Sequence, residues 1–381
     1  MSKKLKIAHL SSMHEWDDDR IFQRACVGLA RLGHELHFVG LKPEKQPFDK
    51  QEYLGVSLHL QNRKSGWKRR WYSSKEVVLK AITLNCDVYQ FHDPDLLPHI
   101  GLIQKARPNA VLVYDIHENY AGRFSNWGLP SFLGNWFRAY EKSKLKKING
   151  FTVVSESMKS LFQGVKTPVE ITRNSTDIQR LRDLDFSNQV KSDKSIVITS
   201  GTHSHARNCL QTVAAMKFMP KEVLSETEFQ FVGRYIDGIE KELLAQAKAD
   251  ETDTFLKLDG MAPWEENFQR LAKAYCGCVF YADNPNNRVG IPNRLFEYMY
   301  CGLPVVASNF PELRNVIEKA KCGLVVDSED PKEIAKGLTT LLSKPELASE
   351  MGRNGKKAME EVFGYHIDLQ NLEKFYYRLL S

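Results

Sequence analysis

The chain of 381 residues has no apolar run that approaches the roughly 18 residues needed to span a membrane. Its first residues, MSKKLKIAHLSS, are basic, but their apolar run is too short for the core of a signal peptide. The cysteines number seven and are scattered, which argues against a disulfide framework. With 42% hydrophobic residues, the composition is that of a globular protein. We therefore expect a cytoplasmic protein.

The glycine-rich signatures of two large classes of nucleotide-binding enzymes are also missing. A nicotinamide-dependent enzyme needs G-x-G-x-x-G directly after an early strand. The first expected strand instead ends in HLSSMHEWDDDR, which contains no glycine. The phosphate-binding pattern G-x-x-x-x-G-K-[ST] is missing as well. These gaps argue against a dehydrogenase and against a P-loop ATPase.

Short apolar runs alternate with helical patterns along nearly the whole chain. The expected strands are 5–12, 36–41, 87–92, 111–117, 151–155 and 169–174, followed by 195–201, 229–233, 255–260, 278–283, 304–308 and 323–326. Runs that are apolar throughout are typical of parallel strands covered on both faces. Strict alternation with helices predicts an α/β protein with two Rossmann-like domains.

The two series of strands set the expected domain boundaries. Residues 1–170 form the first domain and residues 171–364 the second, and a helix at about 365–381 packs back on the first domain. In doubly wound folds, ligands bind at the carboxyl ends of the strands. A ligand cleft is therefore expected where these ends of the two sheets face each other.

The segment GIPNRLFEYMYCGLPVVAS (290–308) predicts an anion site at the start of a helix. The helix is expected over 292–301, with Pro292 at its first position. Its free backbone N–H groups attract an anion, whereas Arg294 in the first turn opposes the helix dipole. A phosphate between them would remove this conflict, and Glu297 on the same face would accept sugar hydroxyls. The alternative is a structural Arg294–Glu297 pair on the helix surface, worth well under about 1 kcal/mol.

Two other strand ends combine small residues with an arginine. The loop SGTHSHARN (200–208) contains Arg207, and FVGR (231–234) ends in Arg234. A diphosphate can meet both backbone N–H groups and a guanidinium in such loops. The doubly wound arrangement predicts that these loops converge with the loop before Arg294 on one site for a nucleotide diphosphate and its ribose.

Three motifs together resemble those of the group-1, or family-four, glycosyltransferases. They are HDPDLLP (92–98), YDIHENY (114–120) and PNRLFEYMYCGLPVVAS (292–308). The resemblance covers nearly the whole chain and implies the GT-B architecture, in which two Rossmann-like domains face each other across a cleft. HDPDLLP and DIHEN narrow it to a subset associated with surface polysaccharides such as capsule and lipopolysaccharide.

The resemblance also implies an activity. Members transfer a sugar, here of hexosyl type, from a nucleotide-diphosphate sugar in the C-terminal domain to an acceptor in the N-terminal domain. The anomeric configuration is retained. The implied acceptor is a glycan or a polyprenyl-diphosphate-linked glycan.

Individual residues correspond to functional positions of this family. Glu297 matches the second glutamate of E-x7-E, which holds the nucleotide ribose, and Arg207 matches a basic residue on the diphosphate. Arg294 stands where a lysine is frequent, and His117 matches a histidine near the transferred sugar. Val289 replaces the first glutamate of E-x7-E, which leaves the transferred sugar unspecified.

The expected site therefore has three groups of residues. The catalytic group is His117, Arg207 and Arg294. The donor-binding group is Gly201, Thr202, Arg207, Gly233, Arg234, Ile291, Pro292, Asn293, Arg294 and Glu297. The acceptor-side group is His14, Asp93 and Glu118.

Asp93 and Asp95 form a D-x-D pair, the metal-binding pattern of a different glycosyltransferase fold. The proline between them favours a turn instead. We prefer a metal-independent site, in which Arg207, Arg294 and a helix N-terminus neutralise the leaving diphosphate. No metal and no cofactor are therefore expected.

The positive charge is concentrated in the first 170 residues, which hold 26 Lys+Arg against 17 Asp+Glu, a net +9. The remainder holds 27 against 30, a net −3. Two segments with interleaved aromatic residues, 63–72 and 126–147, carry much of the excess. They suit peripheral contact with an anionic membrane, here the inner face of the cytoplasmic membrane. A solvated helix face with inward-packed aromatics is the alternative, and no nucleic-acid partner is expected.

Two other functions are compatible with the same donor site. A GT-B-type nucleotide-sugar epimerase would convert the donor without an acceptor. A non-catalytic subunit would bind the nucleotide sugar without transferring it.

Overall fold

The computed structural model describes residues 3–43, 50–65, 69–126, 128–182, 184 and 193–381. The chain divides into two compact units. One comprises residues 1–174 and 365–381, and the other comprises residues 175–364. Each unit is built around one sheet.

The first sheet has eight strands in the order β3-β4-β2-β1-β5-β6-β7-β8. They are β1 (Lys6–Leu10), β2 (Glu35–Leu41), β3 (Glu52–Tyr53), β4 (Val56–Gln61), β5 (Val88–Phe91), β6 (Val111–Ile116), β7 (Gly150–Val153) and β8 (Val169–Ile171). All neighbouring pairs are parallel except β3 and β4. The sequence did not predict β3 or β4. In β4, buried Val56 and Leu58 alternate with less buried residues near the sheet edge, so the run is not apolar throughout.

The helices of the first unit follow its strands in the expected alternation. The α-helices are Val27–Arg31, Arg69–Ile82, Ile100–Ala106, Tyr120–Asn126, Ser131–Leu145, Glu156–Ser160 and Tyr365–Leu380, with a π-helix at Asp19–Cys26 and a 3₁₀ helix at Pro94–His99. Asp18 caps the π-helix, since its side chain accepts a hydrogen bond from the backbone N–H of Ile21 at 2.8 Å. Gly33, with φ of +95°, lies just beyond the end of the helical segment.

The final helix is part of the core of the first unit. Leu372, Phe375 and Tyr376 are at most 1% exposed and pack in the same cluster as Ile7 and Phe22. On its polar side, Asp368 pairs with Arg173 at 2.6 Å.

The second sheet has six parallel strands in the order β11-β10-β9-β12-β13-β14. They are β9 (Ser195–His203), β10 (Thr227–Tyr235), β11 (Leu256–Asp259), β12 (Cys276–Val279), β13 (Val305–Ser308) and β14 (Gly323–Val326). The α-helices are Ile178–Leu181, Cys209–Ala215, Lys221–Ser225, Ile239–Ala249, Trp264–Lys273, Asn293–Tyr300, Pro311–Ala320, Pro331–Leu342 and Pro345–Ala358. Short 3₁₀ helices at His205–Arg207, Met216–Phe218 and Asp253–Phe255 and a π-helix at Met359–Phe363 complete the unit.

Three strand predictions in this unit are wrong at their ends by two residues or more, and one of them is the strand expected at 229–233, which is Thr227–Tyr235. The strand expected at 278–283 is Cys276–Val279, so Phe280 and Tyr281 lie beyond its carboxyl end. The strand expected at 195–201 continues to His203 because β10 pairs with it along its full length.

Two further findings concern the cysteines of β12 and the length and apolarity of the helices. Cys276 and Cys278 in β12 are buried, and they pack as small apolar residues in the second core. Within the described residues, no helix is both long enough and apolar enough to cross a bilayer.

Candidate functional site

Arg294 lies in the first turn of the Asn293–Tyr300 helix and is only 6% exposed. Its Nη2 donates to the carbonyl oxygen of Phe280 at 3.0 Å, and its Nη1 donates to that of Ser200 at 3.3 Å. Because Phe280 follows β12 and Ser200 lies near the end of β9, the guanidinium ties two strand ends together. A solvent-exposed Arg294–Glu297 pair is therefore the wrong interpretation of Arg294.

Arg207 and Arg294 both contact the ring of Tyr281. Their guanidinium carbons lie 4.5 and 5.0 Å from its centroid, and Arg207 also donates to the Tyr281 hydroxyl. Burial lowers the pKa of Arg207, and the charge of Arg294 lowers it further. Two cations this close repel each other, so an anion beside them would be favourable. The predicted approach of these two loops is observed.

The start of the Asn293–Tyr300 helix presents polar atoms without partners. Arg294 Nε and Asn293 Oδ1 are buried, and neither has a hydrogen-bond partner among the described residues. Pro292 precedes the helix, since its ψ of 146° is extended, so the prediction that it is the first helical residue is wrong by one position. The Nε–H of Arg294 is therefore a buried donor without a partner in the described part of the chain, as an anion site requires, whereas the Oδ1 of Asn293 only accepts and suits a hydroxyl or N–H donor.

The other residues predicted to bind the donor lie at the same end of the second sheet. Ile291 is buried in the core beside this helix, and Glu297 is half-buried one turn after Arg294. Thr202 lies at the end of β9, opposite Arg234 in β10. Arg234 is exposed to solvent, unlike Arg207 and Arg294.

Gly201 and Gly233 are paired where β9 and β10 approach most closely. Their φ angles are +104° and +146°, and a Cβ on Gly233 would lie 1.8 Å from the carbonyl oxygen of Gly201. Only glycine fits this approach. Gly201 and Thr202 thus belong to a strand, and the loop predicted at 200–208 is wrong in its first half.

Asn208 supports the backbone of Tyr281 and was not among the predicted residues. It has a left-handed backbone (φ 47°, ψ 38°) before the helix Cys209–Ala215. Its Nδ2 donates to the carbonyl oxygen of Tyr281 at 3.1 Å and to that of Ser328 at 2.9 Å. Asparagine tolerates this conformation better than most residues, which is the one signal that the sequence offers.

In the first unit, His14 and Asp93 form an ion pair in which the carboxylate is buried and the imidazole is partly exposed. Asp93 Oδ1 lies 2.8 Å from His14 Nδ1, while Oδ2 accepts hydrogen bonds from Ser11 Oγ and from the backbone N–H groups of Ser12 and Met13. Burial raises the pKa of Asp93, but His14 and these donors outweigh it and bring the pKa to about 2. Burial likewise lowers the pKa of His14, but Asp93 outweighs this effect and raises the pKa to about 9. His14 is therefore an imidazolium at neutral pH.

Asp115 lies within the buried strand β6 and binds the guanidinium of Arg20 in a bidentate manner. Arg20 Nη2 donates to Oδ1 at 2.8 Å and Nε to Oδ2 at 3.2 Å, and Thr152 Oγ1 donates to Oδ1 at 2.7 Å. Burial raises the pKa of Asp115, but the charge of Arg20 outweighs it and holds the pKa well below its usual range. A carboxylate within the apolar run VLVYDI signals such a pair, since buried charges are rarely unpaired.

His9 and His92 continue the hydrogen bonds from Asp115. His92 Nδ1 lies 2.9 Å from Asp115 Oδ2, and His92 Nε2 lies 2.9 Å from His9 Nδ1. Because the carboxylate only accepts, Nδ1–H of His92 donates to it, and Nε2 of His92 accepts from His9. Burial lowers the pKa of both histidines, so both are neutral.

His117 follows β6 and lies beside His14. The two ring centroids are 4.9 Å apart at 64°, and His117 Nε2 lies 3.4 Å from the Tyr120 hydroxyl. Glu118 bonds Arg123 at 2.7 Å, and its charge helps to raise the pKa of His14. The residues predicted for the acceptor side, His14, Asp93 and Glu118, thus lie near His117.

His92, Asp115 and His117 each place a ligand atom within 4.8 Å of the others, a spacing that could suit a metal ion. A cation there would lie against Arg20, which bonds both oxygens of Asp115. This repulsion, and the loss of the hydrogen bond from His92 to Asp115, disfavour a metal.

The D-x-D pair also differs from a metal site. Both Asp93 oxygens lie against other groups of the protein, as described above. Burial and the charge of Asp93 raise the pKa of Asp95 to about 7. One oxygen of Asp95 accepts from Ser12 Oγ at 2.7 Å, and its Oδ2 has no partner among the described residues.

Two family models match most of the chain. Residues 20–180 match "Glycosyltransferase Family 4", and residues 182–358 match "Glycosyl transferases group 1". The chain is also 28% identical to the "Capsular polysaccharide biosynthesis glycosyltransferase CapM" of Staphylococcus aureus, over 26% of each chain. It spans only 22% to 37% of the length of the curated relatives that it matches.

Solved structures resemble the whole chain. Sucrose-phosphate synthase from Thermosynechococcus elongatus has a TM-score of 0.77 at 15% identity, and 99% of each chain is covered. Anabaena Alr3699/HepE in complex with UDP and glucose has a TM-score of 0.71 at 15% identity, over 98% of this chain and 100% of that one. At this identity the likeness establishes the fold, and it confirms the predicted class of two Rossmann-like domains.

Proposed function

Because the chain has the GT-B fold and both family domains of a GT-B glycosyltransferase, we propose that it is a retaining, metal-independent glycosyltransferase. It transfers a hexosyl group from a nucleotide-diphosphate sugar to a glycan or a lipid-linked glycan. Capsule or lipopolysaccharide synthesis is the proposed context, supported by the motifs of the sequence and by the similarity to CapM.

One observation carries the proposal: two buried or half-buried guanidiniums lie against one ring at the start of a helix. Arg207 and Arg294 lie 4.5 and 5.0 Å from the Tyr281 centroid. The Nε of Arg294 has no partner among the described residues. A diphosphate here would relieve the repulsion between the two cations and accept from that Nε. Glu297, one turn further along the helix, accepts the ribose hydroxyls.

The acceptor binds in the first unit, near His117. The ion pair of His14 and Asp93 fixes a positive charge beside the His117 ring. Asp115 and Arg20 anchor the strand end from which His117 extends. His117 positions the transferred sugar and the acceptor hydroxyl.

The reaction exchanges one bond to the anomeric carbon for another. The bond between the sugar and the diphosphate breaks, and Arg207 and Arg294 stabilise the charge that develops on the leaving oxygen. The acceptor hydroxyl forms the new glycosidic bond on the same face, and its proton passes to an oxygen of the leaving diphosphate. Exclusion of water limits hydrolysis of the donor.

A thermal-shift panel of UDP, GDP, CMP and dTDP sugars tests the donor site. We expect one donor to raise the melting temperature of the protein, and Arg294→Ala and Glu297→Ala to abolish this rise. Arg288→Ala is the matched control, because Arg288 is exposed and pairs with Asp283 in the loop before the same helix. A panel in which no nucleotide sugar stabilises the protein would refute the proposal.

The two other functions give different results with the same donor. An epimerase would convert the nucleotide sugar without an acceptor, whereas a transferase would at most hydrolyse it slowly. In a non-catalytic binding subunit, His117→Ala would leave donor binding and cellular phenotype unchanged. Product analysis by mass spectrometry, with and without a lipid-linked acceptor, separates these cases.

The proposal includes peripheral contact with the inner face of the cytoplasmic membrane. Phe132 and Trp136, on the helix Ser131–Leu145, are 64% and 66% exposed, and lysines follow in its last turn. Residues 66–68 and 127, which belong to the two basic aromatic segments, lie outside the described residues. Binding to anionic but not neutral vesicles, weakened in Phe132→Ser, supports this contact. If the same amount of protein is recovered with anionic vesicles as with neutral vesicles, the result argues for a solvated helix face.

A further inference from the structure

The first unit contains a cavity of about 370 Å³ at the end of the sheet that holds His117. Its wall is largely aromatic, formed by Tyr120, Phe124, Trp136, Phe137 and Tyr140. Prolines of the 3₁₀ helix Pro94–His99 contribute to the opposite side. The volume lies in the range of about 300 to 1,000 Å³ that is typical of small-molecule sites.

We propose that this cavity holds the first isoprene units of the polyprenyl carrier of a lipid-linked acceptor glycan, next to the carrier's phosphate. The inference rests on the proposed function and specifies the apolar part of its acceptor. Among the residues that line the cavity, Arg70 and Asp95 are the charged ones, and the rest of the wall is aromatic or aliphatic. A saccharide would leave most of its hydroxyls without partners against such a wall, which is costly.

The cavity and the proposed acceptor site share Tyr120. The ring of Tyr120 lines the cavity, while its hydroxyl lies 3.4 Å from His117 Nε2. Asp95, which also lines the cavity, accepts a hydrogen bond from Ser12 Oγ at 2.7 Å. The backbone N–H of Ser12 donates to the carboxylate of Asp93. An apolar chain in the cavity therefore ends within reach of the residues that surround His117.

Charge at this end suits a phosphate. The guanidinium of Arg70 belongs to the cavity lining and its charge acts on Asp95. His14, an imidazolium, pairs with Asp93, the carboxylate that accepts from the backbone N–H of Ser12. A phosphate at the mouth would compete with the carboxylate of Asp95 for Arg70, while the attached chain meets aromatic rings.

The cavity borders the exposed part of the helix Ser131–Leu145. Trp136 lines the cavity and is also 66% exposed, so it borders both the cavity and the solvent. A chain can therefore enter beside Trp136. A prenyl chain fits better than a saturated acyl chain, because its double bonds leave fewer rotatable bonds to be ordered in a short cavity.

Binding of farnesyl phosphate to the full chain, followed by isothermal titration calorimetry below its aggregation concentration, tests the inference. We expect saturable binding, with dodecyl phosphate and inorganic phosphate at least tenfold weaker. Trp136→Ala should weaken binding of farnesyl phosphate by about tenfold, as loss of one aromatic wall residue predicts. Phe132→Ala is the matched control, since Phe132 is equally exposed on the same helix but does not line the cavity.

Several results would overturn the inference. One is uptake of farnesyl phosphate that does not saturate, and another is binding of dodecyl phosphate as tight as that of farnesyl phosphate. A third is an equal loss of affinity in Trp136→Ala and Phe132→Ala. Each would indicate partition of the ligand onto an apolar surface. The thermal shift with the nucleotide sugar is measured in the same samples. If that shift persists while farnesyl phosphate does not bind, the cavity inference fails and the proposed function stands. If no nucleotide sugar stabilises the protein, the proposed function fails, and the cavity inference that rests on it fails as well.

Discussion

The Nδ1 atom of His14 lies 2.8 Å from Oδ1 of Asp93, and this pair joins the loop after β1 to the loop after β5. Asp93 brings the pKa of His14 to about 9, against an ordinary value of 6.5. The pKa of Asp93 itself falls to about 2, from 3.8. The pair therefore links the stability of the first unit to pH at both ends of the range.

Removal of the imidazole should reduce stability in a pH-dependent way. A raised histidine pKa contributes stability fully below 6.5, and this contribution is lost as the pH rises through 9. A lowered carboxyl pKa contributes above 3.8 and is lost as the pH falls through 2. We expect His14→Gln to lower the free energy of unfolding by about 3 kcal/mol near pH 6, and by much less above pH 9.

Urea unfolding between pH 5 and pH 10 measures this difference. His205→Gln is the control, because His205 and Glu242 form a pair in which both side chains are about half exposed. Its effect should stay within about 0.5 kcal/mol at every pH. A cost of His14→Gln that does not change with pH would show that the imidazole contributes packing and no charge.

The two arginines at Tyr281 should contribute strongly to nucleotide affinity. Arg207→Ala should raise the Kd of the stabilising nucleotide diphosphate by about 10 to 100-fold, as expected for loss of a charged hydrogen bond. Arg294→Lys should have an effect of similar size, because lysine keeps the charge but cannot reach Phe280 and Ser200 together. Calorimetric titration measures both, and Arg288→Ala should bind as the wild type does. Unchanged affinity in Arg207→Ala would place the diphosphate elsewhere.

Gly233 should not tolerate any side chain. A Cβ there would lie 1.8 Å from a backbone oxygen of Gly201, at a φ of +146°. We expect Gly233→Ala to lower the free energy of unfolding by about 3 kcal/mol. Gly260→Ala is the control, since a Cβ there meets nothing within 4 Å. Thermal and urea unfolding of the two variants should differ accordingly, and equal stability would mean that β9 and β10 can separate at no cost.

The buried pair of Arg20 and Asp115 should show strong coupling. Asp115→Asn leaves an uncompensated guanidinium and should cost about 3 to 5 kcal/mol. The double variant Arg20→Met with Asp115→Leu removes both charges and should be more stable than Asp115→Asn alone. A double variant less stable than the single one would show that the other hydrogen bonds of the pair, from Arg20 to Thr172 and Arg173 and from Thr152 and His92 to Asp115, carry most of the effect.

His117→Ala should separate binding from transfer. The imidazole lies in the first unit, whereas the proposed nucleotide site lies in the second. Its loss should lower kcat by about 100-fold or more and leave the Kd of the donor unchanged. Steady-state rates with a lipid-linked acceptor, together with donor titrations, measure both quantities. An unchanged kcat would remove His117 from the site.

Much of the fold could be predicted from the pattern of apolar runs, because parallel strands covered on both faces read as continuous apolar segments. Strand β4 was missed because it alternates near a sheet edge. The extension of β9 to His203 was missed because it depends on pairing with Tyr235, a residue distant in sequence. The strand propensities of individual residues carry no information about such pairing between distant segments.

The site could be predicted only in part, and for a physical reason. Arg207 and Arg294 stand at strand ends, where the chain pattern indicates a ligand. Tyr281 and Asn208 also lie near strand ends, but the sequence does not indicate that they contact each other, since this depends on which loops meet in space. Asp115 did carry a signal, a charge within an apolar run, which predicts a buried partner but does not identify Arg20 as that partner.

The division of the chain has a consequence for the order in which the protein can fold during synthesis. The second unit is one continuous stretch, residues 175–364, whereas the first needs residues 365–381 to complete its core. The ribosome therefore releases all of the second unit before the last apolar residues of the first have emerged. Domains usually fold in the order of translation. Here the unit that begins the chain must finish last, and its β1 region stays incompletely covered until Tyr376 leaves the exit tunnel.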